Sequence, residues 1–154
     1  MSIADKLTEL GITFPDVPHP AGAYVPTVQT GNLVFVSGQL PVHEGKLAYT
    51  RKVGEQGHLT IEEGAKAARL CAINALAALN DALGNLDAIK RIVKVEVFVN
   101  SAAGFTAQAQ VANGASELLK DLFGEAGQHT RAAVGVAELP LDAAVEVCMI
   151  VERI

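Results

Sequence analysis

Two charged residues stand inside apolar stretches near the carboxyl end of the chain, and both can do chemistry. Arg131 opens the first of these stretches and Glu146 lies within the second, and each stretch is typical of a β-strand. Ala133 and Gly135 follow Arg131 on one strand face and leave room beside its guanidinium. Since a guanidinium can bind a carboxylate through two charge-assisted hydrogen bonds, the pattern predicts a site for a small anion. The alternative is that Arg131 pairs with Glu146 across the sheet or points to solvent.

Four further polar residues are candidates for the same site, although each also has an ordinary structural explanation. His129 lies two residues before the arginine and can share its face, where it would add a titratable donor. Ser37 precedes Gly38 but lacks the surroundings of a catalytic nucleophile, so its hydroxyl is better suited to hydrogen-bonding a ligand. Tyr24 is typical of strand packing, and Asn113 of a helix cap or surface position.

Composition narrows the class of protein. The chain has 154 residues, half of them apolar, which suits one domain over residues 1–154 with a single core. A net charge of −5 and scattered basic residues argue against nucleic-acid binding, and no apolar run is long enough to cross a membrane. The first 20 residues are predicted to form an amino-terminal extension, with His19 in a loop. Because this extension lacks the apolar core of a secretion signal, we expect a cytoplasmic protein. Cys71 and Cys148 are expected to be free thiols.

The apolar pattern predicts a mixed α/β domain. Strands at Ala23–Thr30 and Leu33–Gln39 form a hairpin, and a third extended piece follows at Lys46–Thr50. Helical spacing runs from Thr60, an N-cap with a capping-box glutamate at Glu63, to Leu83. The remaining elements are a strand at 92–99, with its valines toward the helices, a helix at 106–123 and the two charged strands.

The predicted element order is therefore β-β-β-α-β-α-β-β, a six-stranded mixed sheet with two helices on one face. The other sheet face would be left uncovered. Because half of the residues are apolar, exposing that face to water would be unfavourable, and we expect the face to be buried against copies of the same chain.

Several fragments between Gly22 and the carboxyl terminus form an ordered set, comprising residues 22–24, 31–41, 92–99, 130–134, 139–140 and 145–147. This set, with the spacing from arginine to Leu-Pro to glutamate intact, resembles the YjgF/Rid family of reactive-intermediate deaminases. The resemblance implies a chorismate-mutase-like fold and a homotrimer whose ligand clefts lie between neighbouring subunits.

The resemblance also implies an activity, the hydrolysis of enamines or imines to 2-keto acids and ammonia, with no metal or cofactor. By the same resemblance, Arg131 holds the substrate carboxylate and Glu146 positions or activates water. Tyr24 and Ser37 match the cleft tyrosine and serine of the family, and Gly38 matches a glycine that lines the site. Few residues are needed for this reaction, because an imine already reacts with water. The site has only to hold the carboxylate, position a water molecule and transfer one proton.

The chain departs from the family pattern at three places and leaves the function open between classes. Asn113 matches the helix asparagine across about four extra residues, Ala133 replaces the usual cysteine, and Cys148 replaces a second acid. These departures indicate a distinct subgroup with its own substrate. One alternative is a regulatory trimer that binds small carboxylates without turnover. The other is an endoribonuclease, against which the acidic composition and the lack of a basic stripe argue. A chorismate mutase would rest on fold analogy alone.

Overall fold

The computed structural model describes residues 1–18 and 22–154, so His19 of the predicted extension lies outside the described residues. The strands are β1 (Thr27–Thr30), β2 (Leu33–Gln39), β3 (Val42–His43), β4 (Lys46–Leu47), β5 (Ile89–Asn100), β6 (Thr130–Val136) and β7 (Val145–Arg153). Five of them form one mixed sheet in the order β1-β2-β7-β5-β6, with β5 and β6 parallel and the other pairs antiparallel. A separate two-stranded ribbon pairs β3 with β4.

Three α-helices accompany the sheet in the described residues: α1 (Ile3–Glu9), α2 (Ile61–Leu83) and α3 (Gln108–Phe123). The predicted capping box of α2 is confirmed, because the Thr60 side chain accepts from the Glu63 N–H and the Glu63 carboxylate accepts in return. α2 and α3 pack on one face of the sheet over a core of alanine, leucine and valine. None of the helices in the described parts of the chain is long and apolar enough to cross a membrane.

The α/β fold class and the two-helix layer are confirmed, but the sheet has five strands where six were predicted. The third extended piece, predicted at Lys46–Thr50, pairs only at Lys46–Leu47 and only with β3. Its chain reverses at Glu44 and Gly45, whose φ angles of 51° and 78° are those of a tight hairpin turn, so the two short strands satisfy each other. The hairpin β1–β2 is also confirmed, although β1 begins at Thr27, four residues later than predicted.

Two further details differ from the sequence analysis. The predicted extension contains α1, which begins with a capping box between Ser2 and Asp5 and buries Ile3 and Leu7. In β5 the valines were expected to face the helices, and those at 95, 97 and 99 do so. Val93 is only half-buried, because a register irregularity between Ile92 and Lys94 places Ile92 in the core instead.

The sheet face away from the helices carries apolar side chains in contact with solvent. Cross-strand pairing puts Val28, Phe35 and Ile150 side by side on this face, and it pairs Phe98 with Val134 near the opposite edge. Val28 is 53 % exposed, Phe35 41 % and Val134 44 %. We call this the open face; a single chain leaves it uncovered.

Candidate functional site

Arg131 lies on the helix side of the edge strand β6, because it stands opposite Val95, whose side chain is buried under the helices. Its Nη1 donates to Asn113 Oδ1 at 2.8 Å and to Ser116 Oγ at 3.2 Å. Asn113 and Ser116 are three residues apart in α3 and therefore share one helix face. The helix thus holds one end of the guanidinium and fixes its orientation.

These two hydrogen bonds use both protons of Nη1 and leave the other side of the guanidinium open. Within the described parts of the chain, Nε and Nη2 have no hydrogen-bond partner, and no carboxylate lies within ion-pair distance of Arg131. Nε and Nη2 together form the side-on edge that can bind a carboxylate through two bonds. The arginine therefore presents an oriented edge that can bind an anion.

His129 joins the same group through Ser116. Its Nδ1 lies 2.6 Å from the Gly127 carbonyl, which can only accept, so Nδ1 carries a proton. Its Nε2 lies 2.9 Å from Ser116 Oγ. In the neutral tautomer Nε2 accepts from the serine hydroxyl, whose oxygen accepts from Arg131 in turn. A continuous chain of hydrogen bonds thus runs from Arg131 to the Gly127 carbonyl.

A second group of predicted residues surrounds Glu146 on β7. Glu146 pairs with Phe98 and so lies on the open face, where a Cβ atom added at Gly38 would overlap its Oε1. Only glycine at position 38 therefore lets the carboxylate cross β2 at this point. Burial raises the pKa of Glu146. A carboxylate with a raised pKa is a stronger base for water than an ordinary surface glutamate.

Cys148 is the neighbour of Glu146 on the same strand face. Burial raises the pKa of its thiol to about 11, with further contributions from the negative charges of Glu146 and Glu96. The thiol is therefore protonated at neutral pH and unsuited to act as an acid–base replacement for a carboxyl group.

Ser37 and Tyr24 lie at the open end of the β1–β2 hairpin, away from its turn. The Ser37 hydroxyl donates to the Val25 carbonyl at 2.6 Å, and its N–H donates to the Pro26 carbonyl at 2.8 Å. These bonds anchor the segment that carries Tyr24, whose side chain is 61 % exposed. Ser37 holds this segment against β2, so within one chain its hydroxyl proton is already used.

The structure brings the predicted residues into two groups and does not bring the groups together. Arg131, Asn113 and the half-buried Ala133 belong to the helix side of the sheet, whereas Glu146 and Gly38 belong to the open face. An ion pair between Arg131 and Glu146 across the sheet, one of the sequence-based alternatives, is therefore wrong. No group of three or more His, Cys, Asp or Glu side chains in the described ranges is arranged to hold a metal ion.

Sequence reasoning missed Ser116 and Lys120, which line a shallow depression beside Arg131 together with His129. The depression has a volume of about 340 Å³, and Gly127 and Gln128 complete its wall. The signal was present as a helical spacing, because positions 113, 116 and 120 recur at intervals of three and four residues. This spacing points to Ser116 and Lys120 only if Asn113 is first assigned to the site.

The fold and the two groups of residues define a class of protein: a small mixed α/β domain with an oriented arginine on an edge strand and a half-buried glutamate on the open sheet face. The family model described as "YjgF/chorismate_mutase-like, putative endoribonuclease" matches residues 4–153. The chain belongs to this YjgF family, as its sequence fragments had indicated.

Three relatives illustrate the range of similarity within the family. Protein TCP17 of Trypanosoma cruzi is 48 % identical, over 97 % of this chain and 93 % of that protein. The crystal structure of Atu1372 from Agrobacterium tumefaciens, a protein of unknown function, is 45 % identical with a TM-score of 0.89, and the match covers 98 % and 91 % of the two chains. A 2-iminobutanoate/2-iminopropanoate deaminase of Dermatophagoides farinae is 30 % identical over 91 % of this chain and 93 % of its own.

Proposed function

We propose that the protein hydrolyses small 2-imino acids, or their enamine tautomers, to 2-keto acids and ammonia. The observation that carries the proposal is the open Nε and Nη2 edge of Arg131, which is oriented by Asn113 and Ser116 and lacks a carboxylate partner among the described residues. A 2-imino acid offers a carboxylate for this edge, with the reactive carbon next to it. The relative from Dermatophagoides farinae supports the proposal, because it is named as a deaminase of two such acids, 2-iminobutanoate and 2-iminopropanoate.

The proposed reaction needs one water and one group that moves a proton. Water adds to the carbon of the protonated imine while Glu146 takes a proton from the water, which gives a neutral carbinolamine with hydroxyl and amino groups on one carbon. Glu146 returns that proton to the amino nitrogen, and the C–N bond then breaks with its electron pair leaving on ammonia. As the carbonyl forms, the hydroxyl proton passes to the Glu146 carboxylate, from which ammonia removes it as ammonium. The raised pKa of Glu146 suits it to both steps, since a group titrating nearer neutrality can accept and release a proton.

This mechanism requires two subunits, because Arg131 and Glu146 lie on opposite faces of the sheet within one chain. We propose that the open face packs against neighbouring copies in a homotrimer. The arginine group of one subunit would then meet the glutamate group, with Gly38, Ser37 and Tyr24, of the next. The exposed apolar side chains of the open face supply the driving force, since their burial contributes about 25 cal/mol per Å².

The trimer leads to a specific prediction. Size exclusion with light scattering is expected to give three chains per particle for the wild-type protein. Phe35→Asp, which puts a charge on the open face, is expected to give smaller particles. Leu141→Asp is the matched control: Leu141 is 78 % exposed, and its positive φ of 59° is one that aspartate tolerates. A wild-type monomer at micromolar concentration, or a Phe35→Asp trimer, would overturn the shared cleft.

The activity is tested with an imine generated in place. A pyridoxal-phosphate-dependent threonine dehydratase releases 2-iminobutanoate, and semicarbazide traps it before it reacts with water. We expect the protein to lower the yield of trapped imine and to speed the release of 2-oxobutyrate, in proportion to its concentration. If it binds 2-oxobutyrate but leaves trapping unchanged, the regulatory carboxylate-binding trimer becomes the better account.

A further inference from the structure

We infer that the depression beside Arg131 is a second anion subsite, so that the site takes 2-imino or 2-keto acids with a second, distal carboxylate. The inference rests on the proposed function for the role of Arg131 and extends it to a class of substrate. The new residue is Lys120, which lines the depression with Arg131, Ser116 and His129.

Helix geometry sets the spacing between Lys120 and Ser116, the residue of α3 that holds Arg131. Ser116, which contacts Arg131, lies four residues before Lys120, so the two residues share one face of α3. Four residues correspond to a rise of about 6 Å along the helix axis. Two carboxylates joined by a chain of two or three carbons, with C–C bonds of ~1.5 Å, can span a distance of this order.

The charge balance of the depression favours a ligand with two negative charges. Its lining contains Lys120 and Arg131 but no acidic residue. In the described residues, neither cation lies within ion-pair distance of a carboxylate. The whole chain carries 17 acidic and 12 basic residues. A depression lined by two cations and by no acidic residue therefore differs in charge from the chain as a whole. Two like charges that line one depression repel each other, and a bound dianion would relieve that repulsion.

His129 and Ser116 make the wall between the cations suitable for an anion. The Gly127 carbonyl accepts from His129, and Nε2 of His129 accepts from Ser116. Neither acceptor is therefore left to repel a carboxylate. Lys120 also lies in the last turn of α3, where a cation interacts favourably with the helix dipole. Since that effect would concern only the stability of the helix, the test must read out ligand binding.

The test compares two keto acids of equal chain length, 2-oxoglutarate and 2-oxopentanoate, by calorimetric titration. Both have the 2-keto carboxylate, and only 2-oxoglutarate has a second carboxylate. The wild-type protein is expected to bind 2-oxoglutarate about tenfold or more tightly, a difference of about 1.4 kcal/mol. Lys120→Met should reduce this preference to near unity by weakening 2-oxoglutarate alone. Lys66→Met, at an exposed lysine of α2 that does not line the depression, should preserve it.

The outcomes separate this inference from the proposed hydrolysis. Equal binding of the two acids by the wild type, or a preference that survives Lys120→Met, overturns the second subsite even if imines are hydrolysed. A preference that depends on Lys120 in a protein without imine turnover supports the subsite and overturns the hydrolysis. Weakening of both acids by Lys120→Met would assign the lysine to the stability of the site rather than to a distal carboxylate and would also overturn the inference.

Discussion

Arg131→Ala is expected to reduce imine hydrolysis below detection while the protein stays folded in its wild-type oligomeric state. The side chain is exposed at a strand edge and bonds only to Asn113 and Ser116 among the described residues, so its loss leaves no charge buried without a partner. The substrate, by contrast, loses its carboxylate contact in both the ground state and the transition state. Affinity for 2-oxobutyrate should therefore fall more than about tenfold, or about 1.4 kcal/mol, in a calorimetric titration.

Arg131→Lys is the informative companion variant. A lysine keeps the charge but cannot form the two-bond fork or donate to Asn113 and Ser116 in the same plane, so we expect it to restore little activity. Far-ultraviolet circular dichroism and light scattering provide the control for folding and assembly. If Arg131→Ala unfolds the chain, the arginine is a structural residue, and if it keeps full activity, the anion site lies elsewhere.

The sequence was sufficient for the fold wherever a local rule decides the structure. The capping box at Thr60 and Glu63 fixed the start of α2, and Gly31-Asn32 fixed the β1–β2 hairpin. The prediction was wrong where a strand pattern and a turn pattern lie next to each other. The short piece at Lys46–Leu47 has strand-like residues, but the turn before it gives it a partner outside the main sheet. Ser2 and Asp5 carry the helix-start signal of α1, within the segment predicted only to be an extension without a secretion signal.

The candidate site was predictable in its residues but not in its arrangement. Alternation correctly placed Arg131 and Ala133 on one strand face and Glu146 and Cys148 on one face of another strand. It could not relate the two faces, since strand order and register decide which residues face the helices. Pairing with Val95 and Phe98 reveals that the two charged residues point to opposite sides. The contribution of Ser116 also depends on the packing of α3 against β6, which no local pattern encodes.

Glu146→Gln is expected to separate water activation from ligand binding. The amide keeps the size of the side chain beside Gly38 but cannot take a proton from water, so the turnover number should fall at least about tenfold. Affinity for 2-oxobutyrate should change only slightly, because the carboxylate of the ligand is bound at Arg131. Glu152→Gln is the matched control, since Glu152 lies on the same strand face and pairs with Lys90 at 3.0 Å, away from Gly38.

The pH dependence of turnover provides an independent test of the same role. A general base acts as the carboxylate, so turnover by the wild type should fall as the pH drops through the pKa of Glu146. Because burial raises that pKa, the fall should begin at a higher pH than for an ordinary glutamate. Glu146→Gln should remove this acid limb from the residual activity, whereas Glu152→Gln should retain it. If Glu146→Gln turns over imine at the wild-type rate with an unchanged pH profile, the carboxylate is structural, and a water held by backbone groups or a binding protein without turnover explains the site better.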